Sequence, residues 1–467
     1  MKSANNGVGA RQTAQPLMMD AFLAHTKCPR SYVDRFTCSP LSEREGFFKF
    51  GDLGLYGRLS TGAVSDKYTD PPPSVDSNVS MGGASVTLPF NPTEIIDNLR
   101  LERYVPAVNS EISYISSTDS LSRRLYYALR PLFPVAFRRI LQQVALQDWA
   151  KIPFPAWPVD TTVEDFVTQL WILVLKGSGE QQLPFIWYWP KGFDACALMT
   201  HDVETASGQE FCSKILDIER RYGIRSSFEF VPEVRYQISD SLLRAIREAG
   251  CEVCIHGLNH DGRLFSSEQV FRTRAKKINE YARQLGANGF RSPVMYRNAA
   301  WYDAFEFSYD MSVPNVAHLD PQRGGCCTVF PFFIGDIVEL PLTTLQDYPI
   351  YNILRSNPLE MWTRQMDIIV GKHGLVIFLI HPDYMMGQER QTLYAELLAA
   401  IERFRTQKNL WLALPGEVDT WWRQRNNMEL SQVEGKWTIQ GDGSERAAIA
   451  YARLENGAVT FVTDWKP

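Results

Sequence analysis

From Phe193 onward the apolar and polar positions repeat as short apolar runs followed by amphipathic stretches. Residues 195–200 form an almost continuous apolar run, as expected of a strand covered on both faces. A helical period follows over 210–222 and is closed by Gly223. The alternation continues with a strand over 227–231, a helix over 239–249 stopped by Gly250, and a strand over 251–255. A long helix over 266–285 then ends at Gly286. Further on, 337–340 and 375–380 read as strands, and 359–370 and 391–404 as helices. Strand–helix units repeated this often predict an α/β architecture, a parallel sheet with helices outside, open or closed as a barrel.

The two ends of the chain differ. The first hundred residues lack a sustained period, and 68–88 carries Pro71-Pro72-Pro73 among Ser, Gly and Asn, which predicts a linker or surface loop. Leu121, Leu125, Leu129, Phe137, Ile140, Leu141 and Val144 recur at helical steps over 121–149, interrupted by Pro131 and Pro134. Arg123, Arg124, Arg130, Arg138 and Arg139 decorate that stretch, and a solvated helical face is favoured over a membrane-surface contact. At the other end, 436–439, 447–452 and 459–462 read as short antiparallel strands, with Gly441, Gly443 and Gly457 at turns. We therefore expect an N-terminal extension over 1–189, an α/β domain over 190–427 and a small β-rich segment over 428–467.

Bulk properties narrow the class. At 467 residues the chain exceeds one ordinary domain, and length alone suggests about two or three. Hydrophobic residues at 45% and charged residues at 22% suit a globular protein. A net charge of -5 and the lack of any basic block weigh against nucleic acid as a partner. Residues 1–16 lack the apolar core of a secretory leader, and the most apolar runs, 170–175 and 375–380, fall far short of a membrane span of about 20 residues. Eight scattered cysteines, several within strand-like runs, suit reduced and buried thiols. The expectation is a cytoplasmic protein.

Candidate chemistry gathers where strands end, the usual place for catalytic groups in parallel α/β sheets. Thr200-His201-Asp202-Val203-Glu204 follows the first strand. His256-Gly257-Leu258-Asn259-His260-Asp261 follows the third, Arg291-Ser292-Pro293 follows Gly289-Phe290, and His381-Pro382-Asp383-Tyr384 follows 375–380. Four of the seven histidines fall in these clusters. Histidines at i and i+4 on one helical face can share a divalent ion. A carboxylate as third ligand leaves a position open, the arrangement of a catalytic rather than a structural zinc. Such an ion makes hydroxide available at neutral pH, a second carboxylate can take the water's proton, and a separate histidine can protonate a leaving amine.

In this order the clusters resemble the polysaccharide deacetylase (NodB-homology) family, carbohydrate esterase family four, over roughly 190–425. The resemblance implies a distorted (β/α) barrel and metal-dependent removal of an N-acetyl group from a glycan or glycan precursor. It implies Asp202 as base, Glu204, His256 and His260 as ligands of a divalent metal with zinc the first expectation, Arg291 as the group that orients Asp202, and His381 as acid. The family's fourth motif, an Asp with a Trp nearby, falls at Tyr309-Asp310 or Trp301. Two positions depart from the family pattern: Glu204 stands where most members have Asp, and Gly257 where Ser or Thr usually follows the first histidine.

Other residues carry sharper and blander readings. Tyr296, Trp301 and Tyr384 can stack on sugar rings, although aromatics at 12% of the chain make packing the ordinary explanation. His318 reads equally as a substrate contact and as a hydrogen-bonded loop residue. His201 points away from Asp202 if its strand is regular. Cys251-Glu252-Val253-Cys254 and Cys326-Cys327 are read as core or loop thiols rather than redox pairs. Trp421-Trp422 is read as a terminal helix packing on the barrel. The expected partner is an N-acetylated sugar or polysaccharide. The rivals are a C–N hydrolase acting on a non-sugar amide and a glycan-binding protein with a decayed site.

Overall fold

A computed structural model of the chain describes residues 18–68, 72–82, 85–109, 149–354 and 356–465. The arginine-decorated helical stretch expected from residue 121 onward lies outside the described residues, apart from Trp149.

The centre is a curled sheet of nine strands: β1 (Ala195–Val203), β2 (Ser226–Phe230), β3 (Glu252–His256), β4 (Gly289–Arg291), β5 (Tyr309–Asp310), β6 (Phe332–Ile334), β7 (Ile337–Glu339), β8 (Leu375–Leu379) and β9 (Leu410–Leu412). Their spatial order is β6-β7-β5-β4-β3-β2-β1-β8, with β9 also pairing to β1. All pairs are parallel except β6 with β7. β1 is buried at all nine positions, which is why its sequence is a continuous apolar run rather than an alternating one. Cys196 and Ala197 pair with β8 on one edge and β9 on the other, so β9 shares with β2 the edge facing away from β8.

The expected distorted (β/α) barrel is present, and it is not closed by strands all the way round. The free edge of β8 is met by side chains. Thr343 Oγ1 donates to the Leu375 carbonyl and accepts from the Ile377 N–H, and Thr344 Oγ1 donates to the Ile377 carbonyl. Two threonines thus satisfy backbone groups that a neighbouring strand would otherwise take.

The helices outside the sheet follow the sequence period closely, and their caps explain their starts. The first spans Ala206–Arg220 rather than beginning at 210, because Thr205 accepts from the Gly208 N–H. Ser239 and Ser267 cap Asp240–Glu248 and Glu268–Leu285 in the same way, and Gly286 ends the latter in a left-handed conformation. The C-terminal helix Pro415–Asn427 buries Trp421 and Trp422 against the barrel, with Trp421 Nε1 donating to the Tyr188 carbonyl.

The N-terminal region is more ordered than its sequence suggests. Residues 68–88 are not simply a linker: Ser80–Gly82 and Ser85–Leu88 are strands, and the second pairs in parallel with Phe36–Cys38. Val75, Val86 and Leu88 are buried there, too sparse a set to show a period. Glu45–Phe50 and Leu53–Arg58 form a hairpin, and Thr162–Ser178 is a helix that buries the 170–175 run. Strand Gln182–Ile186 pairs antiparallel with Ile449–Glu455, which pairs in turn with Ala458–Thr463. One apolar core runs from Met19 to Ala452.

A buried ion pair joins the N-terminal region to the loops of the barrel. Glu102 meets Nη2 of Arg297 and accepts from its Nε at 2.6 Å, and it also accepts the Gly325 N–H at 2.6 Å. Arg297 is 5% exposed. Removing one partner of a buried pair leaves the other charge without compensation. Glu102→Ala is therefore expected to lower unfolding free energy by roughly 3 kcal/mol, read as a lower urea midpoint. An unchanged midpoint would show that the pair is solvated.

Candidate metal centre and active site

Strand alternation sets the first half of the site. Thr200 and Asp202 share one face of β1, and Nη1 of Arg291 reaches both, Thr200 Oγ1 at 2.9 Å and Asp202 Oδ1 at 3.0 Å. His201 faces the other way. Its Nε2 lies 2.9 Å from Glu219 Oε1 and its Nδ1 lies 2.9 Å from the Ile380 carbonyl. Tyr394 and Ser226 also bond to Glu219, so His201 belongs to a buried network behind the strand.

His256 is the last residue of β3, and His260 sits in the loop after it with φ +54°. The spacing that suggested one helical face is produced by a loop, because Gly257 at φ +64° turns the chain away from helix. The result still brings the rings together, with centroids 5.1 Å apart. Glu204, between β1 and the helix capped by Thr205, points at both. Its Oε1 lies 2.9 Å from His260 Nε2, 3.9 Å from His256 Nε2 and 3.5 Å from His381 Nε2. One ligand atom each from Glu204, His256 and His260 lies within 4.8 Å of the others.

These residues fit a divalent cation. Nε2 of His256 and of His260 are buried with no hydrogen-bond partner; the 2.9 Å approach of Glu204 to His260 is too poorly aligned to count as one. Nδ1 of His256 faces the Arg291 carbonyl at 3.2 Å, so it donates and leaves the Nε2 lone pair directed at the cluster. Nδ1 of His260 lies 3.0 Å from Nη2 of the exposed Arg235, a contact that ligation through Nε2 would have to give up. Two imidazoles, one carboxylate and an open side match a His₂-carboxylate catalytic site.

The remaining groups supply acid and base character. Burial opposes ionisation of Asp202, but His256, Arg291 and His381 outweigh it and hold the carboxyl below its ordinary value. Glu204 is likewise held well below the usual range, burial being outweighed chiefly by His260. His381 Nε2 stands 4.0 Å from Asp202 Oδ2, while its Nδ1 donates to Asp347 Oδ1 at 2.7 Å. Against burial, Asp347 and Glu204 raise His381 well above the usual imidazole range. Tyr384 packs beside it with ring centroids 5.1 Å apart, and Tyr348 follows at 5.8 Å from Tyr384.

Two site residues escaped the sequence reading. Asp347 holds His381 by both the ring and the backbone N–H, the latter at 2.8 Å. The acid beside His381 is thus Asp347, not Asp310, because Asp310 lies on β5 and is turned toward Ser312 and Glu339. The only signal for Asp347 was an aspartate before Tyr348-Pro349, separated from the strand read over 337–340. Glu229 is fully buried 3.4 Å from Arg291 Nη1 and accepts the His201 N–H at 2.9 Å. A charge between Phe228 and Phe230 in an apolar strand was the available clue. Burial pushes its carboxyl up to about 7.

The aromatic candidates divide. Tyr384 stands at the site, and Tyr296 is buried behind His260, where both line a small recess with Pro293. Trp301 stacks on Phe265 at 6.1 Å within a second apolar cluster, so its ring is engaged in packing. His318 is buried against Trp157, 5.7 Å away and nearly parallel, and burial with Arg323 lowers it to about 4. All eight cysteines are unpaired, and all but the half-buried Cys38 are buried.

The sequence matches no established family profile, and no curated protein matches it. Among solved structures it is similar to a Mycobacterium smegmatis protein described as a polysaccharide deacetylase, at 18% identity and TM-score 0.43, over 54% of this chain and 98% of that one. It is also similar to Puue allantoinase, at 13% identity and TM-score 0.40, over 50% and 92% of the two chains. A third is the peptidoglycan deacetylase PdaC from Bacillus subtilis, at 13% identity and TM-score 0.34, over 51% and 95%.

Zinc titrated into the metal-free protein is expected to bind at one site, and His256→Ala to weaken it by at least about a hundredfold, since even outer-shell changes can cost that much. Calorimetry on both proteins checks this; equal affinity would place the ion elsewhere. A second test concerns Asp310 and Glu339, in register on adjacent strands and both fully buried. Asp310 Oδ2, Glu339 Oε2 and the Tyr302 hydroxyl make no well-aligned hydrogen bond. Burial raises both carboxyls, Glu339 well above its ordinary value with the Asp310 charge adding to it. Groups raised on folding contribute stability that is complete below about pH 4 and fades as pH climbs through the folded-state value. Glu339→Gln supplies an N–H in place of a proton shared by the pair. It should melt no lower than wild type at pH 8 and show a flatter pH dependence of Tm. Parallel melting profiles for the two proteins would exclude a shared proton.

Proposed function

We propose that the chain is a metal-dependent hydrolase that removes the acetyl group from an N-acetylated glycan or glycan precursor. The observation that supports this is the convergence of Glu204, His256 and His260 between a carboxylate held by Arg291 and an imidazole held by Asp347. Glu204, His256 and His260 would hold the divalent ion, zinc the first candidate. Bound there, it supplies Lewis acidity toward an amide oxygen and acidifies water.

The protein's own groups carry the proton traffic. Asp202, kept ionised by Arg291, takes a proton from the attacking water as that water's oxygen bonds to the amide carbon. His381, kept protonated and oriented through Nδ1 by Asp347, gives its proton to the departing nitrogen from Nε2. The C–N bond breaks, acetic acid and a free amine leave, and the acid ionises to acetate in solvent. The proton held by Asp202 is released to solvent as His381 takes one up, which resets both groups. Tyr384 and Tyr348 offer apolar ring surface beside His381, suited to the CH face of a sugar.

Both departures from the family pattern are compatible with activity. A Cβ on residue 257 would sit 2.5 Å from Pro293 Cγ and Cδ, so Ser or Thr has no room there. The longer Glu204 side chain reaches His260 at 2.9 Å.

Acetate release from N-acetylglucosamine oligomers should be abolished by a chelator and restored by zinc or cobalt. Asp202→Asn should lower kcat by at least about a hundredfold. Asp347→Asn should lower kcat and shift the alkaline limb of its pH profile downward, as His381 loses the carboxylate that stabilises its charged form. Chelator-insensitive turnover would overturn the mechanism. Turnover confined to non-sugar amides would replace the substrate class, and metal binding without turnover on either class would mark a binding protein.

A further inference from the structure

A cavity of about 310 Å³, sharing no residue with the metal centre, opens between helices Asp20–Thr26 and Pro92–Arg100, strand β6 and the C-terminal helix. Arg100 stands in its wall, 8% exposed. Its Nε has no hydrogen-bond partner, and its Nη2 meets only Nδ1 of His25, at 3.4 Å. No ion pair closes on this guanidinium among the described residues.

The contrast with two other arginines is informative. Arg58 closes its Nε and Nη2 edge on Glu94, and Arg297 closes the same edge on Glu102. In Arg100 no carboxylate closes that edge: Nε is buried without a partner and Nη2 meets only the ring of His25. A buried cation without a partner is costly, and a carboxylate is the group whose two oxygens match two parallel N–H donors. Glu164, the leading carboxylate in its electrostatic surroundings, is occupied by Thr328 and the Val329 N–H, and burial pushes it up to about 7. Burial, Arg100 and Arg425 keep His25 neutral, so it adds no second positive charge.

The rest of the wall restricts what can enter. The Phe332 ring lies 5.7 Å from the Arg100 guanidinium carbon, and Phe333 and Trp422 extend the apolar surface. Asp20 and Asp97 also line the cavity and disfavour a ligand with more than one negative charge. We infer that this cavity binds a small monocarboxylate with a planar apolar body, its carboxylate meeting the Arg100 guanidinium and its body against Phe332, Phe333 and Trp422.

The test titrates the full chain with benzoate, acetate and inorganic phosphate by calorimetry, with thermal melting as a second readout. Benzoate should bind saturably at one site and raise Tm, more tightly than acetate or phosphate. Arg100→Gln should weaken benzoate by roughly tenfold to a hundredfold, the worth of charge-assisted hydrogen bonds. Ala24→Trp, at an exposed helix position lining the cavity, should block it without touching the core. Absence of benzoate binding to the wild type overturns the inference, as does phosphate binding as tightly as benzoate. If Arg100→Gln fails to fold, Ala24→Trp decides: undiminished benzoate binding by that folded variant rejects this cavity. The titrations use metal-free protein, so that acetate, the product of the proposed reaction, meets no ion at Glu204, His256 and His260, and a failed deacetylase assay leaves the outcome intact.

Discussion

One buried guanidinium holds the site together. Arg291 has no exposed surface, and the rest of the catalytic face is arranged around it. Its Nη1 is shared among Thr200, Asp202 and Glu229, its Nε donates to the Met311 carbonyl, and its own carbonyl faces Nδ1 of His256. A single side chain therefore sets the ionisation of the proposed base, Asp202, while its backbone sets the tautomer of a proposed metal ligand, His256. Desolvating a guanidinium costs several kcal/mol, so the arrangement persists only because β1, β2 and the residue that follows β5 all bring acceptors to it.

The two histidines that flank this centre are treated in opposite ways. His256 is bonded through Nδ1 to a neutral carbonyl, which leaves it a lone-pair donor at Nε2. His381 is bonded through Nδ1 to a carboxylate, which favours the imidazolium. The same ring is suited to ligate or to donate a proton according to the charge of its second partner. A third histidine, His201, lies one residue from Asp202 and is directed to the opposite side, where Glu219 raises it against the cost of burial.

Much of this was legible in the chain, and the reasons are physical. β1 and β8 are covered on both faces, so they appear as unbroken apolar runs, and the polar residues at their ends stand out. The helices over 239–249 and 266–285 announce themselves through serine caps and terminal glycines. Short strands were lost: β5 has two residues and β9 three, too few for any period. Asp347 was missed because it acts from a loop whose position depends on tertiary contacts, and Glu229 because a buried carboxylate in a strand has meaning only once Arg291 is seen beside it. The helical reading of His256 and His260 failed because spacing alone does not distinguish a helix turn from a loop bent at Gly257.

Arg425, in the helix Pro415–Asn427, has a consequence for how the chain can be divided. It is fully buried without a carboxylate, and its guanidinium is satisfied by the carbonyls of Ile186 at 2.7 Å, Trp187 at 2.9 Å and His25 at 2.9 Å. All three acceptors precede residue 190. A fragment cut to the barrel alone would keep the cation and discard everything that solvates it. The barrel cut away from its N-terminal extension is therefore expected to be less stable than the same barrel in the whole chain.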